Sequence, residues 1–247
     1  MKHEIKADGL DEALDSLKQL SGPGAQRALA LALNKMAEDA IKPLQSEVAS
    51  VFDRPTPFTL NAFRIDYAKP SALEAAVAVK DEKSGSSSGQ APEAWFQPQV
   101  YGGGRALKAS EKWLRRAGIL PANMYVAPGK GARLDAYGNM SRGHIQQVLS
   151  GLKAFDLSGS DHNATDSARS VAKGHARAFF VVRKGKRAIG IAERRGKSMQ
   201  MVLVFVREPN YSPRFDFHKV VRQVAENDAL FESHIDGALA AALGKGW

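Results

Sequence analysis

The sequence of 247 residues contains no cysteine. Disulfide bonds, thiolate zinc sites and cysteine nucleophiles are therefore excluded. It also lacks a run of about 18 apolar residues, the length that a membrane-spanning helix needs. Its first residues, MKHEIKADGLDEALDSL, are polar and amphipathic and do not resemble a signal peptide. We therefore expect a protein that is made and assembled in the cytoplasm and has no membrane partner.

The familiar catalytic motifs are absent or incomplete. Segment 190–198 approaches a phosphate-binding loop but has one residue too many between its glycines, and strand-forming residues follow it where a helix should begin. No two of the six histidines lie four residues apart, and segment 161–163 favours a solvated loop over a weak metal site. No Gly-x-Ser-x-Gly turn marks a nucleophilic serine. We therefore predict no catalytic residue, no metal, no cofactor and no enzymatic activity.

Helical periodicity is strongest near the two ends of the sequence. A short helix over 10–20 is followed by a long one over 25–51, whose apolar stripe runs past an internal proline, Pro43, where we expect a kink. Another helix is predicted over 142–155 with Ser141 as its N-cap. The final helical pattern, 217–243, follows a cap at Asp216 and has a break at 227–228.

Strand patterns occur in two groups, 64–79 and 178–206. Segment 199–206 is the strongest, and because both of its faces are mostly apolar we predict a strand buried on both sides. The predicted fold is α+β, with the long N-terminal and C-terminal helices packed on a mostly antiparallel sheet made from both groups. Residues 1–80 and 171–247 would form one composite domain, with 81–170 as a loop-rich insertion that contains short helices.

The positive charge is concentrated in one segment. The net charge is +9, and segment 169–197 holds ten Lys/Arg against one acid, which leaves 25 basic and 25 acidic residues elsewhere. Such a segment suits nucleic acid, an acidic protein or simply water. Because consecutive hairpins place their turns at opposite ends of a sheet, the two basic turns need not form one patch. The candidate contact residues are Arg183, Lys184, Lys186, Arg187, Arg194, Arg195 and Lys197.

Aromatic residues are grouped in the predicted insertion. They would form either a contact surface between subunits, since aromatics are enriched in interface cores, or the small core of the insertion itself. The sequence leaves both interpretations open. These residues are Trp95, Phe96, Tyr101, Trp113 and Tyr125.

Several stretches resemble a known family. Segment 9–14 with the Ala-rich helix after it, segment 116–121, segment 134–143 and the closing portion from 202 to 217 are similar to phage minor tail and tail-completion proteins, the group that includes the minor tail protein Z of lambdoid phages. The resemblance implies a virion structural protein at the joint between the head neck and the tail, without catalytic residues.

The resemblance also implies partners. They are copies of the chain in a ring, expected to be six-fold, neighbouring neck and tail-tube proteins, and packaged DNA in the channel. The basic turns would then face DNA or an acidic surface of the adjoining ring. The alternative is a free, basic nucleic-acid-binding protein of the host or the phage.

Overall fold

A computed structural model describes residues 1–5, 23–82, 90–154, 168–172, 179–195 and 197–243. In these ranges the chain forms both helices and strands, and all strand pairs are antiparallel. The predicted α+β class is therefore confirmed. The elements are, in order, β1 (Lys2–Ile5), α1 (Pro23–Val51), α2 (Pro57–Leu60), β2 (Phe63–Asp66), β3 (Ala75–Val79), α3 (Glu93–Tyr101), α4 (Ala109–Arg116), β4 (Met124–Pro128), α5 (Arg142–Gly151), α6 (Ala168–Ala172), β5 (Phe179–Lys184), β6 (Arg187–Arg195), β7 (Ser198–Arg207), α7 (Phe217–Ala225) and α8 (Asp228–Leu243).

The chain divides into two compact units. The first comprises 1–86, 91–102 and 212–247, and the second comprises 87–90 and 103–211. In the first unit, α1 packs against α7, α8 and a three-stranded sheet of order β1-β3-β2. Its core contains the apolar stripe of α1 and a group of phenylalanines, of which Phe96 and Phe215 lie 5.2 Å apart between ring centroids.

The long helix α1 agrees with the sequence prediction. Its stripe residues Leu29, Leu33, Met36, Leu44 and Val48 are all buried, because they recur at the spacing that places them on one face. The helix continues without a break through Pro43, which is exposed to solvent. The predicted break near 227–228 is also present, between α7 and α8.

The second unit contains a four-stranded sheet of order β4-β7-β6-β5. Helices α4 and α5 contribute Leu114, Val148 and Leu149 to a core that they share with Leu203 and Phe205 of the sheet. The predicted caps of α5 and α7 are confirmed. Ser141 Oγ accepts from the backbone N–H of His144, and Asp216 Oδ1 accepts from that of Lys219.

The structure corrects the predicted sheet. The two strand groups form separate sheets, one in each unit, and do not combine into one. Each group has its own partners nearby: β3 pairs with β1 and β2, whereas β7 pairs with β6 and β4. The predicted burial of 199–206 on both sides is also wrong at its start, since Met199 is 59% exposed.

The predicted loop-rich insertion, 81–170, is more regular than expected in two places. Segment 97–105 begins with the end of α3, which contains Pro98. Segment 120–129 contains β4, which pairs with β7 along its whole length. Hydrogen bonding to a distant strand made this short, proline-flanked segment extended.

Some predictions lie outside the described residues. These are the helix over 10–20, segment 9–14 of the resemblance, and residues 83–89 and 155–167 of the predicted insertion, which include segment 161–163. Among the residues that the structure does describe, none of the helices has the length and apolar character required to cross a membrane.

Candidate functional site

The first basic turn joins β5 to β6. Lys184 pairs with Arg187 in the ladder, so Gly185 and Lys186 form a two-residue turn. Gly185 has φ 62°, the conformation that a hairpin turn of this length requires at its first central position. Arg183 Nη1 donates to the carbonyl oxygen of Lys186 at 3.2 Å, and the four basic side chains are exposed. The turn therefore holds four cations on a short, tight loop.

The second basic turn lies at the opposite end of the same sheet. It joins β6 to β7, and Arg195 and Ser198 face each other across it. Arg194 is exposed and its guanidinium lies 5.6 Å from the centroid of the Phe180 ring, and Lys197 is exposed as well. The seven candidate residues are therefore divided between the two ends, as the hairpin arrangement predicts.

Two arginines contact Met124, the first residue of β4, and a third lies opposite it in the ladder. Arg115 Nη2, at the end of α4, donates to the Met124 carbonyl oxygen at 3.0 Å. Arg187 Nη2 lies 3.6 Å from the Met124 sulfur. Arg207 is the residue opposite Met124 in the ladder between β4 and β7. The first basic turn is thus extended by two arginines that lie far from it in the sequence.

We call this end of the sheet the basic end. Its members form no ion pair with a carboxylate among the described residues. The Nε of Arg115 is buried and has no hydrogen-bond partner there. The acid next to Arg207, Glu208, accepts a hydrogen bond from the Tyr125 hydroxyl at 3.0 Å. The basic end consists of Arg115, Arg183, Lys184, Lys186, Arg187 and Arg207.

A buried carboxylate fixes the elements that carry the basic end. Glu111 of α4 is fully buried, and its two oxygens accept from the guanidinium of Arg105 at 2.5 and 2.8 Å. They also accept from the backbone N–H groups of Lys108 and Val126, at 2.7 and 2.9 Å. Helix α4 and strand β4 are therefore tied together just beside Arg115.

The hydrogen bonds set the charge state of this pair. Burial by itself raises the pKa of Glu111, but the bonds from Arg105 and from the two backbone N–H groups outweigh it, so the pKa lies below its ordinary value. The hydrogen bond to Glu111 raises the pKa of Arg105. Both groups are charged at neutral pH, and the charge of Arg105 is neutralised inside the unit.

The opposite end of the sheet is different in character. There Arg133 Nη2 lies 3.3 Å from Glu193 Oε1, so one cation is paired with a nearly buried acid. Exposed apolar side chains are also present: Met199 in the turn region, and Leu134 and Tyr137 in the loop after Arg133. This end therefore mixes paired charges with apolar surface.

The aromatic candidates do not form one cluster. Trp95, Phe96 and Tyr101 belong to the first unit and Trp113 and Tyr125 to the second. Phe96 is completely buried in the first core and Tyr125 is 8% exposed, whereas Tyr101 is 59% exposed. Phe96 and Tyr125 are buried, but Phe96 lies in the core of the first unit and not in a separate core of the insertion. Tyr101 and the half-buried Trp95 and Trp113 retain surface for a contact.

A shallow apolar cleft lies between α4, α5 and the sheet of the second unit. It opens to solvent and has room for about 50 Å³ of water. Side chains such as Leu114, Met140 and Ile145 form most of its wall, with Lys108 and Ser110 as its polar members. Few polar groups converge in it, so the cleft lacks the arrangement that orients a substrate.

Sequence reasoning found the first basic turn but missed Arg115 and Arg207. The basic composition of 112–116 was the available signal, but only tertiary contact brings it to the turn. Within the described ranges, no group of three His, Asp or Glu side chains is arranged to hold a metal ion. Comparison of the chain with family models, curated proteins and solved structures finds no match.

Proposed function

We propose that this chain is a structural protein of the phage particle, a ring subunit that completes the tail or joins it to the neck of the head. The observation that carries the proposal is the basic end. It presents six cations, drawn from α4, β5, β6, β7 and the turn between β5 and β6, that have no carboxylate partner among the described residues. A protein that surrounds a DNA channel, or that stacks on an acidic ring, needs a surface of this kind.

The resemblance to minor tail and tail-completion proteins supports the same proposal. Two of its described stretches have exposed residues, which contacts with other subunits would require: 116–121 leads from α4 towards β4, and 134–143 is a mostly exposed loop that ends in the first residues of α5. Copies of the chain would pack side by side in a six-fold ring, with neck and tail-tube proteins above and below. Tyr101, Trp95 and Trp113 are the candidate aromatics with surface left for contacts between copies.

The proposal is tested by locating the protein in purified particles. A short epitope tag on the chain, imaged with a gold-labelled antibody, should mark the joint between head and tail. Particles assembled without the protein should contain heads and tails that fail to join or tails that are incomplete. Absence of the chain from purified, infectious particles would contradict the proposal.

The alternative function, a free nucleic-acid-binding protein, draws on the same basic end. Such a protein should bind DNA tightly as a monomer or dimer and should be missing from particles. A connector subunit should bind weakly by itself and form a closed ring in the particle, where many copies act together. Native mass spectrometry of the chain, together with the particle analysis, separates the two.

A further inference from the structure

The two ends of the second sheet differ in the partner that they suit. The exposed large apolar side chains described in this unit are Leu134, Tyr137 and Met199. None of the three is at the basic end: Met199 faces Arg194 across the ladder at the second turn, and the other two follow Arg133, which reaches Glu193. The basic end is therefore a surface of unpaired cations without an apolar centre.

This composition distinguishes nucleic acid from protein as the partner. The centres of protein–protein interfaces are apolar or aromatic and depleted of charge. Protein–DNA interfaces are more polar and much more positively charged. We propose that the basic end binds the phosphate backbone of duplex DNA. This proposal rests on the function proposed above and specifies the partner of that surface.

The position of the first basic turn suits contacts with phosphates. Its two strands are joined by only two residues, and β6 is also paired with β7, so the turn is a corner of the four-stranded sheet and its cations lie along one end of that sheet. Arg115 and Arg207, on neighbouring elements, would meet further phosphates of the same duplex, and a guanidinium matches a phosphate with two parallel hydrogen bonds.

The binding should be independent of base sequence. Apart from Gly185, every residue from 183 to 187 is Lys or Arg, and in the proposed binding mode these cations meet phosphates and not base edges, where Arg or Lys would read guanine. Contacts to phosphates fix position but carry no sequence information. A passage for DNA of any sequence requires this kind of contact.

The number of cations predicts the salt dependence. Each phosphate contact contributes about −0.9 to the slope of log K against log salt concentration, so six contacts give a slope of about −5. The charges of Arg105 and Arg133 do not contribute to this slope, because Glu111 and Glu193 neutralise them.

The experiment measures fluorescence anisotropy of a labelled duplex of mixed sequence with the full chain, at about 50 to 200 mM salt. The test variant is Arg115→Ala with Arg207→Ala, and the matched control is Arg194→Ala with Lys197→Ala. Both remove two positive charges, but the control removes them at the opposite end. We expect the test variant to bind more weakly and to reduce the slope by about 1.8, and the control to behave like the natural chain.

Two further measurements keep the test decisive if the first variant is unstable. Arg115→Lys keeps the charge and should keep the slope, and Lys184→Gln with Lys186→Gln, in the exposed turn, should reduce it by about 1.8. Circular dichroism establishes that each variant is folded.

Three outcomes would overturn the inference. The first is an equal loss of DNA affinity in the test and control variants, and the second is no measurable DNA binding by the natural chain at low salt. The third is displacement of the duplex by polyglutamate at equal charge concentration. The last would identify an acidic protein as the partner. Each outcome leaves the proposed function standing if the chain is still found at the head–tail joint, whereas loss of that location removes the function whatever the DNA result.

Discussion

The guanidinium of Arg105 donates hydrogen bonds to both oxygens of the buried carboxylate of Glu111, six residues further along the chain. Arg105 Nη2 lies 2.5 Å from Oε1 and Nη1 lies 2.8 Å from Oε2. With the two backbone N–H donors, the carboxylate accepts four hydrogen bonds while fully buried. A buried charge is tolerated only when it is paired and hydrogen-bonded in this way. The pair therefore holds the segment before α4, the helix itself and β4 in one arrangement.

Removal of this carboxylate should destabilise the second unit. Glu111→Ala leaves Arg105 and two backbone N–H groups without their acceptor, and the expected loss in unfolding free energy is about 3–5 kcal/mol. Urea denaturation followed by far-UV circular dichroism measures it. The matched control is Glu38→Ala, which breaks the exposed pair with Lys35 and should leave stability nearly unchanged. Equal stability of Glu111→Ala and the natural chain would show that the network does not support this unit.

The stability of the second unit should also depend on acid pH. Since the pKa of folded Glu111 lies below that of the unfolded chain, about 4.3, the carboxylate contributes stability that is fully present above that value and is lost as pH falls through the folded pKa. Thermal unfolding between about pH 7 and 3 should therefore show a fall in the melting temperature at the acid end. In Glu111→Gln this part of the fall should disappear. An unchanged acid profile in that variant would assign the fall to other carboxylates.

Gly190, in the middle of β6, should not accept a side chain. A Cβ at this position would lie 2.3 Å from the backbone oxygen of Leu203 on the neighbouring strand. Gly190→Ala should therefore force the strands apart and cost about 1–3 kcal/mol of unfolding free energy. Gly143→Ala is the control in the same unit, because its Cβ meets no atom within 4 Å, and alanine suits a helix better than glycine. Chemical denaturation of both variants compares them directly, and equal stability would contradict the close approach of the strands.

The loop before α5 should depend on one aspartate. Asp135 Oδ1 accepts from the backbone N–H groups of Tyr137 and Asn139, each at 2.9 Å. Asp135→Ala removes both bonds, and we expect faster hydrogen exchange over 136–140 with little change in global stability, since each bond contributes about 1 kcal/mol. Mass spectrometry localises the exchange. Asp135→Asn keeps the acceptor and should protect the loop; equal exchange in both variants would rule out this role.

Local sequence signals predicted the elements that depend on local periodicity. The stripe of α1 repeats over eight turns, so its buried face could be read directly, and Ser141 and Asp216 are side chains that cap helices by local hydrogen bonds. Strand β4 could not be predicted in this way, because its extended form depends on β7, about 80 residues later. The separation of the strands into two sheets likewise follows from pairings that no local pattern encodes.

The candidate site was predictable to the same extent. The turn at 183–187 shows its charge and its glycine in consecutive residues, so both its form and its cations follow from the sequence. Arg115 and Arg207 are far from the turn in the sequence, and the fold brings them to it through Met124, which contacts Arg115 and lies opposite Arg207 in the ladder. Composition located the excess charge, but only the folded sheet separates the end with exposed apolar side chains from the end without them.

Charge reversal in the first basic turn should impair assembly and infectivity of the particle but leave the chain folded. Arg183, Lys184, Lys186 and Arg187 are exposed, so their replacement by Glu should leave the fold and the melting temperature close to those of the natural chain. Within the particle, the reversed turn would repel DNA or an acidic neighbouring ring, and we expect a loss of infectious particles and leakage of packaged DNA, measured by plaque counts and nuclease sensitivity. The control reverses Arg194 and Lys197 at the other end of the sheet, where paired charges and apolar surface lie. If the first variant assembled and retained its DNA as well as the control, the basic end would have no part in joining the tail to the head.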